Sequence, residues 1–255
     1  MTFQLPPVEE KFHLNSVRIS GAVQRLWASG TDVLLRLSVH DGERVTLLLP
    51  NSSLDGRPLT LMKGDPISVA GYLIEMPYLE TGRQFLERLG REDLLADVPG
   101  LAQVVDKRMA TCVVVQSLKI GEAIPTNEVV VEGIVARTWE KGEQRFARLA
   151  IYDRHTETDG EGRRSRPRRK AHYVSLHFPD GLVNGRPVAL SPHDHLRATG
   201  RLCEQRYSES LGYFLMRAGG IGLLAEAPNS DSLRELRTQR VATYVVIESM
   251  LQFTK

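Results

Sequence analysis

Apolar and polar residues alternate from Val17 onward. Val17, Ile19 and Val23 share one parity, with Arg18, Ser20 and Gln24 on the other, which is the period of a half-buried strand. Val33, Leu35, Leu37 and Val39 stand against Leu34, Arg36, Ser38 and His40 and predict a second strand, and Val45, Leu47 and Leu49 predict a third. Gly30-Thr31-Asp32 supplies the first turn, and Asp41-Gly42 is a hairpin signal between strands two and three. Residues 50–64 are turn-rich, with room for a short helical turn at most. Ile67, Val69, Gly71 and Leu73 form the fourth strand and residues 110–118 the fifth. Residues 76–108 are longer and less regular, with a helix expected near Glu92 to Leu95. Each unit therefore reads as five short strands with turns between and little helix.

The whole pattern occurs twice, and self-similarity of this kind takes precedence over local signals. Gly21-Ala22-Val23-Gln24-Arg25-Leu26-Trp27 answers to Gly133-Ile134-Val135-Ala136-Arg137-Thr138-Trp139, 112 residues on. Asp55-Gly56-Arg57-Pro58 answers to Asn184-Gly185-Arg186-Pro187, and Gly71-Tyr72-Leu73 to Gly200-Arg201-Leu202, now 129 residues on. The larger offset marks an insertion in the second copy, the arginine-rich run at residues 163–170. The closing strand Ala110-Thr111-Cys112-Val113-Val114-Val115 has its counterpart in Ala242-Thr243-Tyr244-Val245-Val246-Ile247. Gly21 and Gly133 interrupt the first strand of each copy, which suggests a bulge, a bend or close backbone approach. The expected organisation is an N-terminal arm at 1–15, a first domain at 16–121 and a second at 126–255, whose basic loop spans 154–170. The linker near Gly121 to Asn127 is short and contains Pro125.

Composition narrows the chemistry. A net charge of +2 over 255 residues means that any affinity for a polyanion comes from local clustering. No apolar run approaches the roughly 20 residues that cross a bilayer, and the first residues lack the basic head and apolar stretch of a secretory signal. Cys112 and Cys203 have neither disulfide-framework nor metal spacing. They read as reduced thiols of a cytoplasmic protein. His193-Asp194-His195 invites a metal or catalytic reading, but its counterpart is the plain turn Lys63-Gly64-Asp65-Pro66, so a polar turn before a strand is expected. No paired carboxylates, nucleophile elbow or phosphate-cradling loop stands out. No enzyme, metal or cofactor is expected.

A five-stranded Greek-key barrel of about 110 residues is the oligonucleotide/oligosaccharide-binding (OB) architecture. The fold class read from the sequence is thus all-β, two tandem five-stranded OB-fold barrels with little helix. Asn15-Ser16-Val17-Arg18-Ile19-Ser20-Gly21 resembles the opening strand of the bacterial single-stranded DNA-binding protein family. Lys63-Gly64-Asp65-Pro66-Ile67-Ser68-Val69-Ala70-Gly71-Tyr72-Leu73 resembles its fourth strand and residues 242–250 its closing strand. The resemblance covers most of both copies. It implies sequence-tolerant binding of single-stranded DNA in replication, recombination or repair. It also implies four barrels per assembly, hence a homodimer of this two-barrel chain. The family's Gly/Pro/Gln-rich tail and acidic tip have no counterpart in Met250-Leu251-Gln252-Phe253-Thr254-Lys255, so recruitment of other proteins through such a tip is not expected.

Binding of unpaired strands needs a cationic groove and aromatic faces for the bases. Outward parity offers Arg18, Arg36, Arg44 and Tyr72 in the first copy and Phe146, Arg148, Tyr152, Tyr173, Arg197 and Arg201 in the second. Arg36 and Arg148 are equivalent. Trp27 and Trp139 are equivalent too; they share parity with the apolar side, so base stacking and core packing both fit. The run Arg163-Arg164-Ser165-Arg166-Pro167-Arg168-Arg169-Lys170 is the sharpest basic patch. Tyr78, Phe85, Tyr207 and Phe214 recur after the fourth strand, either lining the groove or closing the barrel. Two other functions fit the same elements: a protein-interaction or assembly module that has lost strand binding, and RNA binding.

Overall fold

A computed structural model describes residues 14–39, 42–50, 60–121, 124–153, 170–225, 227 and 229–253. The first half contains β1 (Asn15–Ser29), β2 (Asp32–Val39), β3 (Arg44–Leu49), β4 (Pro66–Thr81), the helices α1 (Gly82–Leu89) and α2 (Leu94–Asp97), and β5 (Val105–Ile120). The second half contains β6 (Asn127–Lys141), β7 (Gln144–Asp153), β8 (Lys170–Phe178), a small ribbon of β9 (Leu182–Val183) and β10 (Arg186–Pro187), then β11 (His195–Ser210), α3 (Leu211–Arg217), α4 (Ser230–Glu235) and β12 (Arg237–Phe253). The chain is mostly β-strand.

In the first half β1 pairs with β2, β2 with β3, β3 in parallel with β5, β5 with β4, and β4 returns to β1. The second half repeats the circuit through β6, β7, β8, β12 and β11. Each circuit returns to its first strand, whose N-terminal residues keep a second edge for pairing outside the circuit. The alternating apolar residues point inward. Val17, Ile19, Leu35, Leu47 and Val113 of the first half and Val129, Leu149, Leu176 and Val245 of the second are fully or almost fully buried in one continuous core.

Glycines allow the tight crossings. A Cβ on Gly21 would lie 2.1 Å from the carbonyl oxygen of Ser38, and one on Gly133 2.4 Å from that of Ala150. Gly71 and Gly200 face Val114 and Val246 at 2.0 Å in the same sense. Close backbone approach is therefore the reason for the in-strand glycines.

Backbone pairing, a second core and side-chain ion pairs join the halves. In the first of these, Asn15–Ile19 of β1 pairs antiparallel with Asn127–Val131 of β6, giving one ten-stranded sheet. Equivalent asparagines, one from each half, stand at the two ends of this seam. Asn15 donates to the carbonyl of Leu73 at 2.8 Å and accepts from its amide at 2.9 Å. Asn127 does the same to Leu202, at 2.9 Å each way.

The second junction lies where β4 and β5, like β11 and β12, run on as long hairpins. Their tips carry more helix than the alternation pattern suggested. Thr81 and Gln84 form a capping box on α1, and Ser210 caps α3. The two tips pack together in a second core, where Phe85 and Phe214 lie fully buried with ring centroids 4.7 Å apart. Neither ring lines a groove or closes a strand circuit; both fill this second core, outside the two alternatives the sequence offered.

Beside these rings sits a closed set of buried charges. Arg108 reaches Glu80 at 2.6 Å and Glu209 at 2.8 Å; Arg240 reaches the same two carboxylates, each at 2.7 Å. Asp106 lies 3.0 Å from Arg108, and Arg88 also binds Glu80. The guanidinium of Arg108 stands over Phe214 at 5.7 Å, and that of Arg240 over Phe85 at 5.1 Å. Glu80–Arg108 and Glu209–Arg240 pair within their own halves, and Arg108–Glu209 and Arg240–Glu80 cross between them, so where the tips meet each of these buried charges has partners from both halves.

Candidate nucleic-acid interface

The site begins with two β-bulges. The β1–β2 register shifts between Val23 and Arg25, and the β6–β7 register between Val135 and Arg137. An inserted residue flips the parity of everything after it. Trp27 and Trp139, which sequence parity assigned to the apolar side, therefore emerge on the outer face. Trp27 stands opposite Leu34 and Trp139 opposite Phe146. Arg25 and Arg137, two residues earlier on the same face, place their guanidinium groups over these rings at 5.7 and 5.0 Å.

In the second half Trp139 opens an aromatic column. Trp139 and Phe146 stack at 5.4 Å and 8° between planes, and Phe146 and His177 at 4.7 Å and 13°. Tyr244 leans on Phe146 at 5.3 Å. Phe146 is only 3% exposed, because its outward face is covered by these rings; it props the column rather than presenting itself. Burial lowers the pKa of His177, an effect that Asp180 partly opposes, which favours the neutral ring. The corresponding positions of the first half are Leu34, Leu48 and Cys112. The two outer faces thus differ: one aliphatic beside Trp27, the other aromatic beside Trp139. Burial pushes the Cys112 thiol up to about 12, which makes it a packing residue.

Between the halves lies a cleft of about 570 Å³. Trp139, Tyr244, Tyr207 and Tyr78 supply rings, and Arg36, Arg137, Arg148 and Lys107 supply charge. Tyr173 borders it through Arg148, whose guanidinium covers the Tyr173 ring at 4.7 Å. A second depression of about 380 Å³ is lined by Arg25, Trp27, Arg36 and Thr46. Aromatic faces next to guanidinium groups suit a ligand that is planar and anionic in alternation.

Arg36 and Arg148 are not bare. Arg36 of β2 binds Glu204 of β11, and Arg148 of β7 binds Glu75 of β4. Both pairs cross between the halves, and the two are equivalent under the duplication. Arg36 also donates to Thr46 Oγ1 at 2.7 Å. Its pKa is lowered by burial and by nearby Arg44. Burial raises the Glu75 pKa, outweighing the pull of Arg148 and Arg137.

The expected residues divide accordingly. Arg36, Arg148 and Trp139 line the cleft; Phe146, Tyr173, Trp27 and Arg44 adjoin it. Tyr72 sits at the seam, edge-on to His172 of the other half with centroids 6.1 Å apart. Tyr152, half-buried, pairs with Ala171 further along β7. Arg18, Arg197 and Arg201 are not brought to the cleft. Arg18 is exposed on β1, in register with Glu128 of β6. Arg197 binds the buried Glu132 at 2.7 Å, and Arg201 faces Glu248 at 3.7 Å. Arg163, Arg164, Arg166, Arg168 and Arg169 lie outside the described residues; Lys170 opens β8. In the His193-Asp194-His195 stretch, Asp194 accepts from the Ser191 amide at 2.7 Å, as Asp65 accepts from Met62 at 2.7 Å in the first half. Both are polar turns. Residues that sequence reasoning passed over include Arg25, Arg137, Tyr244, Glu75 and Glu204. The Arg-x-Trp pair and the Glu recur in both copies at equivalent positions, which was the available signal.

No protein-family model matches the chain, and no curated protein matches it. Among the described residues no helix is long and apolar enough to cross a membrane. Solved structures do match. The wild-type single-stranded DNA-binding protein of Thermus aquaticus has 13% sequence identity and a TM-score of 0.50, over 96% of this chain and 95% of that one. A deletion variant of the same protein gives 13% identity and 0.50 over 96% of both chains. What this chain shares with these structures, along almost its entire length, is the fold.

Proposed function

We propose that the chain binds single-stranded DNA without sequence preference and does no chemistry on it. On this reading its halves are two tandem OB-type barrels, divided as the sequence suggests at 16–121 and 126–255. The bases stack on the rings of the second half, and the phosphates run along the cations of the cleft. The observation that carries the reading is the column of Trp139, Phe146, His177 and Tyr244 on the rim of a cation-lined cleft. Such a surface holds any base by its π-face, at about 1–3 kcal/mol per stacked base, and any phosphate by charge, so it does not read sequence. The fold shared with a single-stranded DNA-binding protein supports the same reading.

The arginine-rich run at 163–170 leaves from β7 and returns to β8, the strands that carry Arg148 and Tyr173; phosphate contact is its proposed role. Work in replication, recombination or repair and assembly of two chains into four barrels belong to the same proposal. The test uses the chain's two tryptophans, Trp27 and Trp139, both on the outer face. Oligo-dT is expected to quench their fluorescence saturably, with affinity falling steeply as salt rises. A duplex of the same length is expected to quench far less. Absence of quenching at low salt contradicts the proposal, and a monomeric mass in solution contradicts the four-barrel assembly.

A further inference from the structure

The cleft lining holds six cations, Arg36, Lys107, Arg108, Arg137, Arg148 and Arg217, and two carboxylates, Glu75 and Glu204. Arg108 and Arg217 are engaged from below, by Glu80, Glu209 and Asp106. Glu75 and Glu204 instead take up the two arginines of the cleft wall, Arg148 and Arg36. Each reaches across from the opposite half. A carboxylate and a phosphate offer an arginine fork the same thing, two anionic oxygens for parallel hydrogen bonds.

Neither arginine depends on its carboxylate for position. Arg148 rests on the Tyr173 ring at 4.7 Å, and Arg36 is tied to Thr46 at 2.7 Å. If the carboxylate swings away, each guanidinium keeps a second anchor that points it into the cleft. Burial also works against the charge of Glu75.

We infer that Glu75 and Glu204 are internal phosphate mimics, which keep the cleft arginines occupied until a single strand displaces them and so set the affinity of the empty protein. This rests on the strand-binding reading and adds to it a restraint built into the same surface. Its mark is a gain: removing the carboxylate charge frees two arginines for phosphates without removing any contact to the strand.

The test is the anisotropy of fluorescein-labelled oligo-dT titrated with the full chain across a salt series. It compares the wild type, Glu75→Gln/Glu204→Gln, and Asp231→Asn/Glu235→Gln, which changes charge equally at two exposed positions of α4 that do not line the cleft. Two more phosphate contacts, at about 0.7 each for single strands, steepen the log–log salt slope by about 1.4 and tighten binding roughly tenfold at low salt. The α4 variant is expected to stay within about twofold of the wild type. Unchanged or weaker binding by Glu75→Gln/Glu204→Gln overturns the inference and makes the carboxylates positioning groups. An equal gain in the α4 variant overturns it in favour of net charge. If neither the wild type nor the cleft variant binds, both the inference and the strand-binding reading fall; binding by the cleft variant alone supports both. Circular dichroism checks folding, and should the double variant not fold, the single variants decide, each with a slope steeper by about 0.7.

Discussion

Truncating Trp139 to alanine is expected to weaken oligo-dT binding about 5- to 150-fold. Trp139 is held flat by Phe146 at 5.4 Å and 8°, with Arg137 over its ring at 5.0 Å, so little ring motion is left to freeze when a base arrives. A base stacked on such a platform is worth about 1–3 kcal/mol, and each 1.4 kcal/mol is about tenfold in affinity. The equivalent Trp27 faces Leu34 and lies beside Arg25, Arg36 and Thr46. With an aliphatic neighbour in place of the column, Trp27→Ala is expected at the low end, about fivefold or less. The assay is oligo-dT anisotropy at two salt concentrations, with circular dichroism to check the fold. Because no cation is removed, the salt slope of Trp139→Ala stays at the wild-type value, and Trp139→Phe recovers most of the affinity. A cost under twofold for Trp139→Ala, or a larger cost for Trp27→Ala, refutes the assignment of stacking to the second half.

Three other outcomes follow from the same structure. Replacing Arg108 by methionine leaves Glu80 and Glu209 to share Arg240, and Asp106 with Arg217 alone; removing one partner of a buried set costs up to about 3–5 kcal/mol, read as a lower urea midpoint. His177 has a folded pKa below its ordinary value, so the unfolded chain binds the extra proton. Stability is therefore complete above the ordinary imidazole range and falls as pH drops through it, levelling off below the depressed folded pKa; His177→Phe is expected to flatten that part of the melting profile. Changing Arg163, Arg164, Arg166, Arg168, Arg169 and Lys170 to alanine is expected to weaken binding and flatten the salt slope by about 0.7 for each phosphate that is no longer neutralised. An unchanged slope removes the loop from the site.

The strand order was legible because each strand is buried on one face, so its alternation is strong and its register has one good solution. The duplication reinforced every assignment. The outer position of the tryptophans was not legible from parity, since a bulge inserts one residue and the alternation read through it comes out inverted. Gly21 and Gly133 marked the irregular strands but not the residue at which parity breaks. Of the helical tips, α2 (Leu94–Asp97) overlaps the helix expected near Glu92 to Leu95, whereas α1 went unread because its eight residues are too few for a 3.6-residue period. The capping box Thr81-x-x-Gln84, with Ser210 at the equivalent position, was the readable trace. The contacts between halves pair residues about 70 to 170 positions apart, as with Arg148 and Glu75 or Glu204 and Arg36. Sequence shows such residues only as identities that recur: Glu75 with Glu204, Glu80 with Glu209, Arg108 with Arg240. Arg36 and Arg148 were found as exposed-parity cations, but parity carries no information about the carboxylates that meet them.

The most direct measurement is photo-crosslinking of oligo-dT that carries 5-iodouracil, followed by mass spectrometry of the linked peptides. Links are expected to Trp139, Tyr173 and Tyr244 on the outer face of the second half, and they should disappear when excess unlabelled oligo-dT competes. Links confined to residues outside the cleft lining, such as those around Arg18, Arg197 and Arg201, or no competed link at all, would contradict strand binding on the second half's rings.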